Sequence, residues 1–254
     1  NNPSSSSSNG QISDNIPEEF APLYSYDIYA KQSLIIADRV QLQGESYVCS
    51  NVSVGVNAKI YGTLNVKNNA ELRNFSYAEN LHIEGTVNQQ DGASTGITMA
   101  SSVVMPSIES VSINVGTSDL IVANNQTAVV RPGSYKRLHI FAGAKVTFEG
   151  GVYNFESFIV EPDAKITFNN ESTPIQVWVQ KELQFGDRAK VESIGTMGNL
   201  FVYTNAFNVY MGVTSSLEVV LAAPNAKVDV ASRCVLSGKV WAREITIQPD
   251  VVVK

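Results

Sequence analysis

Histidine and cysteine are nearly missing from this 254-residue chain, with two of each. His82 and His139 each sit between a Leu and an Ile, and strand alternation turns both outward. Neither has a Cys or a second His at ligand spacing, so no metal site is expected. The nucleophile elbow, the phosphate loop and the dinucleotide fingerprint are also absent, so the sequence points to no cofactor. Cys49 and Cys234 lie far apart. If coils stacked in chain order, the two would sit near opposite ends and could not bridge.

Charge is scarce as well. Charged residues make up 17%, against roughly 25% in an average soluble domain. The net charge of −6 is mild, and no basic run or basic-aromatic stripe occurs, which argues against a nucleic-acid partner. No apolar run reaches the roughly 18 residues of a membrane-spanning helix. No signal-peptide pattern is visible. Residues 1–15 open with Asn-Asn-Pro and five serines, the composition of a flexible linker. Such a start fits a mature or truncated piece of an exported modular protein.

What the chain has is β-forming residues and a repeat. Ser134–Phe148 and Asn154–Phe168 align at an offset of about twenty residues, the period class of solenoids. Ala144/Ala164, Lys145/Lys165, Thr147/Thr167 and Phe148/Phe168 are identical. The motif returns at Ala189-Lys190-Val191, at Pro224-Asn225-Ala226-Lys227-Val228 and at Pro249-Asp250-Val251. Asn57-Ala58-Lys59-Ile60 and Asn69-Ala70-Glu71-Leu72 are weaker echoes. Between corners the residues alternate, with Leu138, Ile140, Val146 and Phe148 in, and His139 and Thr147 out. This pattern predicts a right-handed parallel β-helix with coils of about 20–25 residues, each stabilised by its neighbours. An antiparallel sandwich is the alternative, and it seldom repeats a tripeptide at a fixed corner.

The expected organisation is a linker over 1–15 and one solenoid domain over 16–254. Residues 16–31, with Phe20, Tyr24, Tyr26 and Tyr29, are placed as a cap on the first coil. Coils are expected to begin near Leu34-Ile35-Ile36. Residues 86–130 read as an irregular excursion. The C-terminal stretch Ile245–Lys254 has no following helix, so its coil is expected to be bare and open to self-association.

An enzyme on such a scaffold needs clustered carboxylates in one groove. Glu161/Asp163 and Glu182/Asp187 come nearest, and turn and solubility roles account for them. Exposed aromatics are the better signal. Alternation turns Trp178, Tyr210, Phe141 and Tyr61 outward, where flat rings can stack on sugars. The competing reading is that a loop covers them.

Gly133-Ser134-Tyr135, Gly150-Gly151-Val152-Tyr153-Asn154-Phe155, and Ala223–Val228 followed by Leu236-Ser237-Gly238-Lys239-Val240 carry a resemblance. The run 133–247 resembles a bacterial surface β-helix family found beside type IV pilus genes. Tapirin adhesins, which hold cells on cellulose, are looser relatives. Residues 41–88 are similar to the coils of bactofilins, which polymerise. The resemblance implies a β-helix at the cell surface and supplies no functional residues. Three functions stay open. The first is a non-catalytic, pilus-associated or surface adhesin for an insoluble polysaccharide or other surface. The second is a structural subunit stacking into extracellular fibres. The third, resting on fold analogy alone, is a carbohydrate-active enzyme.

Overall fold

The computed structural model describes residues 16–100, 110–195 and 199–254. The linker 1–15 and most of the expected loop Met99–Pro106 lie outside them. The described strands form one continuous sheet, and every pairing is parallel. A sandwich would need antiparallel ladders. Each strand pairs with the strand one coil away. Lys145 lies opposite Lys165 and then Lys190, and Phe148 opposite Phe168. Equivalent bonded positions are 17 to 26 residues apart, so coils are more variable in length than the repeat implied.

Each coil has three faces. The first holds the ladder through Ile28–Ala30, the second that through Ser33–Ile36, and the third that through Gln41–Gln43. Alternation fills the interior. Leu138, Ile140, Val146, Phe148, Phe158, Val160, Ile166, Phe168, Leu183 and Phe185 are all buried, as the pattern predicts. Ala144, Ala164 and Ala189 are buried too, while Lys145 is exposed and Lys165 half-buried.

The corner between second and third faces explains the repeated tripeptide. The residue before Ala58, Ala164 and Ala189 takes a left-handed conformation, with φ of 57° at Asn57, 62° at Asp163 and 56° at Arg188; the copies of the motif at Ala70 and Ala226 lie elsewhere, Ala70 opening a second-face strand and Ala226 sitting inside the strand Ser216–Val230. That conformation is uncommon outside Gly and Asn. Here the amide of each corner residue donates to a carbonyl of the adjacent corner. Gly143 N–H reaches Pro162 O at 3.2 Å, Asp163 N–H reaches Asp187 O at 2.9 Å, and Arg188 N–H reaches Val213 O at 2.8 Å. The run of bonds offsets the backbone cost, since no corner amide is left orphaned.

The coils do not stack in chain order. Strand Ile28–Ile36 pairs on one side with Asn51–Val54 and on the other with Val235–Ile247. Strand Gln41–Gln43 likewise pairs with Val252–Val253. The N-terminal coil thus covers the C-terminal coil, and the expected bare C-terminal edge does not exist. Coils also begin at Ile28, ahead of Leu34.

Tertiary contacts lock this seam. Lys239 Nζ meets Asp27 Oδ1 at 2.7 Å, and Arg39 grips both oxygens of Asp250 at 2.7 and 2.9 Å. Trp241, fully buried, donates its indole N–H to Tyr26 O at 2.9 Å. Gly44 (φ +90°) is needed beside it, because a Cβ there would lie 1.9 Å from Asp27 Oδ2.

The aromatic N-terminal segment is not an end cap. The 3-10 helix Glu18–Leu23 lies against the flank of the first face, where Phe20 packs on Phe201, Tyr203 and Trp241. It seals a column of outward rings that would otherwise meet water, including Tyr29, Tyr47, Trp241 and Tyr203. Nor is 86–130 wholly irregular. Val87–Gln89, Ser94–Ala100, Asp119–Val122 and Thr127–Val130 are strands. They are the terminal coils of the stack, each with a single coil as neighbour among the described residues, and the apolar alternation is weakest there. Cys49 belongs to the buried flank cluster and Cys234 to the main core, and both are free thiols.

Candidate binding groove

The second face carries outward rows that cross the coils at about 4.8 Å per step. One row reads Ile121, His139, Ile159, Gln184, Tyr210, Asp229. The row beside it reads Asp119, Arg137, Ser157, Glu182. An open groove lies across them. One part is lined by Lys181, Glu182, Gln184, Phe207, Asn208 and Tyr210. The other shares Lys181 and Glu182 and continues over Lys136, Arg137, Glu156, Ser157 and Ile159.

Phe207 is 72% exposed, an unusual state for a large apolar side chain. Its position follows from a break in alternation. Ala206 and Val209 both point inward, so the chain bends between them and pushes Phe207 out. The Ala206 amide donates to Thr204 Oγ1 at 3.0 Å and holds the bend. Nearby, Tyr210 is half-buried and donates its hydroxyl to Asp187 Oδ1 at 3.2 Å. Burial, reinforced by Asp187, raises the Tyr210 pKa, so the phenol stays neutral. The same Asp187 oxygen accepts the Val213 amide at 2.9 Å. The ring of Tyr210 is therefore anchored to a corner.

Several of the groove's charges are already engaged. Lys181 Nζ meets Glu156 Oε1 at 2.6 Å, and Arg137 meets Asp119 at 2.9 Å. Ser157 donates to Glu182 Oε2 at 2.8 Å. The bond from Lys181 lowers the Glu156 pKa, and the bond from Arg137 lowers that of Asp119. A glycosidase acid needs the opposite shift, upward toward neutrality. The other carboxylates considered from sequence serve the backbone and the corners. Glu161 meets His139 Nε2 at 2.8 Å and the Ala142 amide at 3.2 Å, and Asp163 is gripped by Arg188 at 2.6 and 2.7 Å. Among the described residues no group of three His, Cys, Asp or Glu side chains could hold a metal ion.

The four aromatics singled out in the sequence do not form one patch. Tyr210 lies in the groove. Phe141 starts a corner of the same face and stacks on His139 at 4.1 Å between centroids. Tyr61 is on the third face, 40% exposed, with Tyr77 6.4 Å away. Trp178 points outward from the first face, as alternation requires. There it packs against Phe201 and Tyr203, at 5.9 and 5.2 Å, on the flank cluster that Val111 and Val115 also join. A covering segment rather than a ligand accounts for it. Sequence reasoning missed Phe207, because counting parity back from Val209 turns it inward.

No protein-family model matches this chain, and no curated protein does. Among solved structures, an ice-binding protein from the Antarctic ascomycete Antarctomyces psychrotrophicus is similar at 12% identity and a TM-score of 0.46. The match covers 91% of this chain and 94% of that one. An ice-binding protein from an Antarctic bacterium of the Flavobacteriaceae is similar at 10% identity and a TM-score of 0.35, over 89% and 79%. Among the described residues no helix is long and apolar enough to cross a membrane.

Proposed function

We propose that this chain is a non-catalytic, extracellular surface-binding module that holds an extended polysaccharide along the second face. The stack is taken as a right-handed β-solenoid, the hand that parallel crossover connections overwhelmingly adopt. The observation that carries the reading is that Phe207 and Tyr210 both line an open groove in which Lys181 is paired with Glu156 and Arg137 with Asp119. An exposed ring beside an anchored one offers apolar faces for sugar rings. Gln184, Asn208 and the fixed ion pairs offer donors and acceptors for hydroxyl groups. A groove open along its length suits a polymer rather than an enclosed small molecule. Attachment at a bacterial cell surface or beside a pilus is compatible with this reading and is part of the proposal.

The test is retention on insoluble polysaccharides, measured for wild type, Phe207→Ala and the double variant with Tyr210→Ala. Loss of two stacking rings should weaken retention roughly tenfold, about 1.4 kcal/mol. Trp178→Ala serves as the contrast, since it should lower stability before it lowers binding. Retention unchanged in the double variant would remove the groove from the reading. An ice-affinity assay on the same samples separates a glycan surface from an ice surface.

A further inference from the structure

The seam between the N-terminal and C-terminal coils sets an amine directly against a carboxyl group. Ile28 lies opposite Val240 on one side and Ser46 on the other. The residues just before them therefore share one outward row: Lys239, Asp27, Glu45. The backbone fixes that row. The Val240 amide donates to Asp27 O, and the Asp27 amide donates to Glu45 O, both at 2.8 Å.

Two features separate Lys239 and Asp27 from the other ion pairs of the molecule. The first is shelter. The Lys239 side chain is 17% exposed, whereas the cation of every other lysine or arginine pair among the described residues is at least 35% exposed. The ring of Tyr24 covers Lys239 Nζ, which lies 5.1 Å from its centroid. The second is the way the carboxyl group is held. Asp27 Oδ1 meets Nζ at 2.7 Å, while Oδ2 accepts the Glu45 amide at 3.0 Å and lies tight against Gly44. An amine thus touches a carboxyl group whose other oxygen rests on a fixed N–H donor. Acyl transfer uses the same parts, with the donor stabilising the oxygen on which charge collects. Holding the two groups in contact also makes their condensation a unimolecular step.

We propose that Lys239 and Asp27 condense to an intramolecular amide that joins the N-terminal coil to the C-terminal coil. One proton passes from Nζ to Oδ1, which leaves a neutral amine and a carboxylic acid. The Nζ lone pair forms a bond to Cγ, and Oδ2 carries the resulting negative charge under the Glu45 N–H. A second Nζ proton moves to Oδ1, the Cγ–Oδ1 bond breaks and one water leaves. The charge on Oδ2 returns to form the amide carbonyl. Nothing is oxidised or reduced, and no co-reactant is consumed. The bond spans 212 positions across a seam that no nearby peptide link crosses. A cross-link closing so long a loop restricts the unfolded chain strongly.

Mass spectrometry of the intact, purified chain tests the proposal. Wild type should weigh one water less than its sequence requires. A protease digest should release a branched peptide joining the segments around Asp27 and Lys239. In a denaturing gel the closed loop should make wild type migrate faster than Lys239→Arg, which keeps the positive charge, cannot form this amide and should show its full mass. The branched peptide is read on wild type, so it decides the matter whether or not the variant folds. Full sequence mass in wild type after long incubation at neutral pH would overturn the proposal. So would a water loss that persists in Lys239→Arg, because the dehydration would then lie elsewhere in the chain.

Discussion

The coils before the excursion and the coils after it use the same corner and the same parallel ladder, yet they differ in what they present to solvent. In the first set outward asparagine side chains of the second face accept bonds from the next coil, chiefly from its backbone amides. Asn51 Oδ1 accepts the Asn69 amide at 3.1 Å, and Asn69 Oδ1 accepts both the Thr86 amide and hydroxyl, at 3.0 and 2.8 Å. These bonds span 17 or 18 residues, so the coils are short and even. Their interior is aliphatic, built from residues such as Val52, Val54, Ile60, Leu64 and Leu72. In the second set, bonds such as Lys181–Glu156 span 25 residues. The interior here is aromatic at both the 20-residue and the 25-residue spacing. Phe148 lies 5.8 Å from Phe158 and 4.8 Å from Phe168, and Phe158 lies 6.3 Å from Phe185. Added residues in these coils also break the alternation, and that break expels Phe207. Both sets leave an open depression on the second face: Asn51, Ser53, Asn69, Glu71 and Thr86 line it in the even coils, and Phe207 and Tyr210 in the lengthened ones.

The largest expected effect tests the aromatic interior. Phe158→Ala should destabilise the fold by about 3–5 kcal/mol, through lost burial and a residual cavity. Chemical denaturation measures it. A loss under about 1 kcal/mol would mean that these coils collapse around the gap and do not need the rings.

Acid should act next, and on the lengthened coils and the seam first. Arg188 lowers the Asp163 pKa, Arg39 lowers that of Asp250, and Lys165 with Lys190 lowers that of Glu192. A carboxylate depressed in the folded state contributes stability that is complete above its unfolded value, near 4. That contribution fades as pH falls through the folded value. Asp163→Asn and Asp250→Asn should each flatten the stability curve below about pH 4 and leave its slope near neutrality unchanged. Equal acid slopes in wild type and both variants would show that these exposed pairs contribute nothing measurable.

A smaller effect is expected in the asparagine ladder. Asn69→Ala removes an acceptor shared by two donors and should cost about 1 kcal/mol. Hydrogen exchange at Thr86 should accelerate with it. Unchanged exchange would mean that water replaces the amide at no cost, and the contrast between the two sets would then rest on the interior alone.

Phe207→Ala should have the smallest effect on stability, within about 0.5 kcal/mol, because the ring is mostly solvated. Its effect should show in glycan retention instead. A large drop in melting temperature would mark Phe207 as packing and dissolve the difference between the surfaces.

Local pattern alone determined much of this protein. Alternation places Leu138, Val146, Phe158 and their equivalents inside, because a pleated strand sends successive side chains to opposite faces. The Ala-Lys corner is legible because a tight left-handed turn with a small inward residue must recur at each coil. Tyr210 was legible for the same reason, and Phe207 was not, because a two-residue bend erases the period on which such counting depends. The order of the coils was decided only in three dimensions. Backbone edges are chemically alike, so any coil can in principle pair with any other. The choice falls to contacts between residues more than 200 positions apart: Asp27 with Lys239, Arg39 with Asp250, and Trp241 beneath Tyr26. No local period encodes such pairs. They bring the N-terminal coil onto the C-terminal one and place the aromatic segment on the flank.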